Sequence, residues 1–144
     1  MASLREKVQV ELENIALVLE ELKTAQDEPN KRVVELAGIG AFLHNFYNGV
    51  ENILKQILNS QGIQILRTDS WHQDLLIQAK DTGIISESTK KQLAEYLAFR
   101  HFFSHAYGFT LDEKELMLLV GKVFRVYSTF KTEIDSFLHK TKSY

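Results

Sequence analysis

The stretch LAGIGAFLHNFYNGVENILKQI, residues 36–57, sets Leu36, Ile39, Phe42, Phe46, Val50, Ile53 and Ile57 at steps of three and four. That is the period of one face of an α-helix, whereas a half-buried strand would alternate at every second residue. The spacing predicts a long helix over residues 31–59, starting after Pro29 and running to NSQG. Toward the N-terminus the same step joins Leu4, Val8, Leu12, Ile15, Leu19 and Leu22, with Ser3 placed as an N-cap. That first helix of about two dozen residues ends near AQDEPN, where proline cannot continue it. Toward the C-terminus, GIQILRTDS has the composition of a strand but no partner strand, so it reads as a loop. Ser70 is positioned to cap a shorter helix through WHQDLLIQAK, which Gly83 breaks. SEST, residues 86–89, opens a fourth helix carrying Leu93, Tyr96, Leu97 and Phe99, with Gly108 as its stop. Asp112 and Glu115 form a capping box for a last helix, marked by Leu116, Leu119, Val123, Tyr127, Phe130, Ile134 and Phe137. Five helices with short connections predict an all-α antiparallel bundle, one domain over residues 1–144.

Composition narrows the function. The 144 residues are 44% apolar and 25% charged, the balance of a chain that folds. Cysteine is absent, so disulfides and thiolate metal sites have no part, and a cytoplasmic location is expected. No stretch approaches the 18 or so apolar residues of a membrane span, and the start, MASLREKVQVELEN, has no apolar segment typical of a leader. A net charge of −2 argues against a globally basic nucleic-acid binder, so a polyanion would need a local positive site.

Such a site is offered by FRHFFSHAYG, residues 99–108, where two histidines, an arginine, a tyrosine and three phenylalanines crowd the end of the fourth helix. On a regular helix Arg100, Ser104 and Tyr107 share a face, while His105 lies about 140° from Arg100. Aromatics at this spacing ordinarily pack in a core, and a histidine near a helix C-terminus ordinarily serves the helix dipole. The i, i+4 pair His101 and His105 would suit zinc only with a further ligand, from His44, His72 or a carboxylate, and no second ligand pair at a telling spacing exists. Ser104 beside His105 is not in the geometry of a nucleophile and its base, and no phosphate-cradling glycine loop occurs. Acid–base work on a phosphodiester remains: histidine moves protons near neutral pH and arginine grips phosphate in a bidentate fashion. That chemistry calls for no metal and no cofactor.

Arg100, His105 and Tyr107 together spell R-x4-H-x-Y. This resembles the signature of HEPN-domain toxins of the HepT type, the partners of minimal nucleotidyltransferase (MNT) antitoxins. The resemblance extends over nearly the whole chain, with SWHQDLL ahead of the motif helix, LAFRHFFSHAYG in it and a long closing helix. His101 supplies the polar residue that HEPN motifs tend to carry after the arginine. What the resemblance implies is a metal-independent endoribonuclease of a toxin–antitoxin system, a homodimer whose cleft contains Arg100 and His105 twice. It further implies that Tyr107 is where the partner nucleotidyltransferase attaches AMP, the two proteins forming a hetero-oligomer. Related helical proteins resemble non-catalytic substrate-binding subunits of nucleotidyltransferases, which is the alternative function.

One polar stripe adds a supporting candidate. His44, Asn48 and Glu51 share a face of the second helix opposite Phe42, Phe46, Val50 and Ile53. Such a stripe is usually solvated; lining the cleft and orienting His105 is the functional reading, with Glu51 as its principal residue.

Overall fold

The computed structural model of the chain describes residues 2–65, 67–105 and 111–141. Among the described residues five helices form: α1 (Leu4–Gln26), α2 (Val33–Ser60), α3 (Trp71–Asp81), α4 (Glu87–His105) and α5 (Glu113–Lys140). No strand occurs among the described residues, and GIQILRTDS is irregular wherever it is described. The all-α bundle expected from the helical period is therefore the fold.

The helix ends follow their capping chemistry with two departures. Ser3 accepts from the Glu6 amide while the Glu6 carboxylate accepts from the Ser3 amide, a complete capping box. Ser86 accepts from the Thr89 amide and so starts α4. Ser70 stands at the N-cap position of α3 but does not cap it: its hydroxyl bonds the Asp74 carboxylate instead. At α5 only the Asp112 half of the expected box is made, Asp112 accepting from the Lys114 and Glu115 amides. Gly108, the expected stop of α4, lies outside the described residues.

α2 is the axis of the bundle, touching each of the other four helices. Leu43, Phe46, Tyr47, Val50, Ile53, Leu54 and Ile57 are fully buried, which is why the repeat of α2 decides the architecture. Close approach of α1 depends on Gly49, where an added Cβ would stand 2.6 Å from Ile15 Cγ1. α1 and α5 run antiparallel, since Arg5 Nη2 donates to the Leu138 carbonyl while the Tyr127 hydroxyl donates to the Leu12 carbonyl. α4 and α5 are antiparallel too: Ser86 meets Glu133 at one end, and Tyr96 donates to the Leu119 carbonyl toward the other. One continuous apolar cluster results, and α3 and α4 close over the polar side of α2.

Candidate functional site

That polar side of α2 is half-buried at His44 and Asn48 and closed off from solvent at Glu51. Glu51 is 3% exposed, capped by α3 and α4. A carboxylate removed from water needs charge partners and hydrogen bonds, and Glu51 has both. Its Oε2 lies 2.7 Å from His72 Nδ1 on α3, and its Oε1 lies 3.5 Å from Arg100 Nη1 on α4. Arg100 Nη1 also stands 3.1 Å from His72 Nδ1, but one ring nitrogen cannot donate to Glu51 and accept from Arg100 together. The shorter contact to a buried carboxylate makes His72 Nδ1 the donor, and leaves Arg100 to pair with the other Glu51 oxygen. Arg100 is thus clamped against α2 with its Nε buried and without a hydrogen-bond partner among the described residues.

Two further α2 residues border this cluster. The Tyr47 hydroxyl, one turn before Glu51, is buried and makes no hydrogen bond among the described residues. Burial, and then the Glu51 charge, push it well above the ordinary tyrosine range, so it is neutral, its hydroxyl able to donate or to accept. His44 is held below the ordinary histidine range by burial and then by the Arg100 charge. Its Nδ1, 3.3 Å from Asn48 Nδ2, accepts from that amide in the neutral form. Phe103 closes the cluster, its ring 6.0 Å from that of His44, and it occupies the space that a Cβ on Gly40 would claim.

The motif residues separate. α4 stays helical through His105, so Arg100 turns into the bundle while His105 is exposed. Glu51 orients Arg100 and His72 and makes no hydrogen bond to His105. His101 is exposed, its ring 4.9 Å from that of His105, and with His72 it borders a groove of about 640 Å³ between α3 and α4. Of the phenylalanines, Phe99 and Phe103 stack on one another against the core and Phe102 is 47% exposed. Tyr107 lies outside the described residues, as does Phe109. Among the described residues no group of three histidine, aspartate or glutamate side chains is arranged to hold a metal ion. No helix among the described residues is long and apolar enough to cross a membrane.

His72 is the residue that sequence reasoning undervalued, weighing it only as a zinc ligand. The available signal was its place at the first turn of a short helix, facing whichever polar residue of the central helix that turn covers.

A five-helix bundle in which a buried carboxylate on the central helix grips the arginine of R-x4-H on the fourth has the HEPN-like fold. The family model described as "HepT-like protein" matches residues 38–141, from early α2 to the end of α5, and the chain belongs to that family. None of the curated proteins matches the chain.

Proposed function

We propose that the protein is the toxin of a toxin–antitoxin pair, a metal-independent endoribonuclease that a partner nucleotidyltransferase silences by transferring AMP to Tyr107. The observation that carries this reading is the clamped Arg100: a cation paired with Glu51, whose other oxygen is held by His72, on the helix that also presents an exposed histidine five residues on. Fixing a guanidinium before substrate arrives lets it meet a phosphate without the cost of reorganising.

In this reading two protomers bring the ends of their α4 helices together. One His105 takes the proton of the ribose 2′-hydroxyl, the 2′-oxygen attacks phosphorus, and the P–O5′ bond breaks. The second His105, protonated, gives its proton to the leaving 5′-oxygen. Arg100 holds the non-bridging phosphate oxygens as charge builds on them. The exposed Phe102 and the groove of about 600 Å³ beside it, walled by Phe99, Leu116 and Leu119, suit the contact between copies. Light scattering at micromolar concentration is expected to give the mass of a dimer, and a monomer would remove the second histidine from the mechanism.

Tyr107 follows Arg100 by seven residues, so continued helix would return it to within about 20° of the arginine's face. An AMP phosphate there competes with RNA for Arg100. Expression of the chain alone is expected to arrest growth. Co-expression with its nucleotidyltransferase is expected to restore growth and to add the mass of AMP to the peptide containing Tyr107. A Tyr107→Phe variant that is toxic alone yet fully neutralised by the partner with ATP would show that masking, not modification, is the switch.

A further inference from the structure

We infer that Lys55, Arg67 and Trp71 form a phosphate clamp that holds the single-stranded RNA backbone next to the Arg100 site. The inference rests on the ribonuclease reading and extends it to how the substrate is held. Trp71, the chain's one tryptophan, begins α3. Lys55 Nζ from α2 lies 5.2 Å from its ring centroid, and the Arg67 guanidinium carbon, from the α2–α3 loop, lies 5.1 Å away. On its ring also stacks His72, centroids 3.7 Å apart. The Lys55 and Arg67 charges thus lie within about 5 Å of one ring and no more than about 10 Å from each other, and an anion bound there would relieve a repulsion that the ring only partly offsets.

The described residues pair no such anion with either cation. The carboxylates nearest along the chain are Glu51, one turn before Lys55 but taken up by His72 and Arg100, and Asp69 and Asp74 after Arg67, of which Asp74 is occupied with the hydroxyls of Thr68 and Ser70. In a chain of net charge −2 a paired, preorganised cation site is not a by-product of composition. It is also continuous with the clamped arginine, because His72, stacked on Trp71, donates to the same Glu51 that pairs with Arg100. The Trp71 ring, already contacted by His72 and both cations, is better suited to ordering those side chains than to stacking a base. The ligand group is therefore the backbone phosphate, read without regard to sequence.

The test titrates a single-stranded 2′-O-methyl oligoribonucleotide, which lacks the attacking hydroxyl, into the protein while Trp71 fluorescence and anisotropy of a labelled strand are followed at several salt concentrations. Wild type is expected to bind with a change in Trp71 emission. K55Q/R67Q is expected to bind about tenfold more weakly near 0.1 M salt, with a salt slope shallower by about 1.4, since each phosphate contact on a single strand contributes about 0.7. On cleavable RNA the same variant raises KM and leaves kcat in place. Trp71→Leu keeps both charges, so it loses affinity without losing slope. Equal affinity and slope for wild type and K55Q/R67Q, with cleavage intact, overturns the clamp and spares the ribonuclease reading. Loss of binding to the partner nucleotidyltransferase with RNA binding unchanged assigns the patch to a protein surface and equally overturns it. A wild-type protein that neither binds the strand nor cleaves RNA overturns both.

Discussion

Replacing Glu51 by glutamine keeps the shape of the side chain and removes the charge that the Arg100 guanidinium and His72 share. Arg100 is three-quarters buried in its side chain, so a missing counter-charge leaves it poorly solvated and free to turn away from the cleft. Misplacing a catalytic group by about 1 Å costs on the order of a hundredfold in rate, and Glu51→Gln is expected to lower kcat for RNA cleavage by about ten- to a hundredfold. The check is single-turnover cleavage alongside a thermal melt: a large loss of rate with a cooperative transition retained places Glu51 as a positioning residue, and wild-type rate removes it from the account. His72→Gln, which keeps a donor toward Glu51, is expected to retain more activity than His72→Ala.

Helix packing is set by two glycines that respond oppositely to one substitution. Gly49 lets α1 approach α2, and alanine there drives a Cβ to 2.6 Å from Ile15 Cγ1. Gly121, on the exposed side of α5, has nothing within 4 Å of an added Cβ. Alanine at Gly121 is expected to stabilise the protein by up to about 1 kcal/mol through helix propensity. At Gly49 overpacking, about 1–3 kcal/mol, outweighs the same gain and the protein is destabilised. Urea unfolding of the two variants checks the signs. At this scale the sequence was readable wherever a helix could be judged by itself: the period of α1, α2 and α5, the Ser3 and Asp112 caps, and the loop reading of GIQILRTDS. It was not readable where a second helix decides the outcome. The His44, Asn48 and Glu51 stripe has the pattern of a solvated face, and only the packing of α3 and α4 over it buries Glu51. Likewise the motif spacing located Arg100 and His105 but carried nothing about His72, which reaches Glu51 from a helix twenty-one residues further along the chain. Ser70 looked like a cap because of its position, yet Asp74 one turn later competes for the same hydroxyl.

For the molecule as a whole, stability should fall at both ends of the pH range. Burial raises the Tyr47 and Tyr96 hydroxyls above the ordinary value of 10.0. Above about pH 10 the unfolded chain releases these protons while the fold retains them, so stability is lost as pH rises, by about 1 kcal/mol per unit for each tyrosine. His44 is shifted the other way, below 6.5. As pH falls below about 6.5 the unfolded chain takes a proton that the fold does not, and stability declines there too. Chemical unfolding at pH 5, 7.5 and 11 is expected to be hardest at the middle value, and Tyr96→Phe is expected to flatten the alkaline limb. In the proposed function the clamped arginine and the exposed histidine act together, the folded, unmodified protein cutting RNA by moving protons. The most direct measurement is the chemistry of the ends left on RNA digested in EDTA by wild type, Arg100→Ala and His105→Ala. Wild type is expected to leave 2′,3′-cyclic phosphate and 5′-hydroxyl ends, and each variant to lose about 10² to 10⁴ in rate. Fragments ending in 3′-hydroxyl, or cleavage that disappears with the chelator, contradict the account.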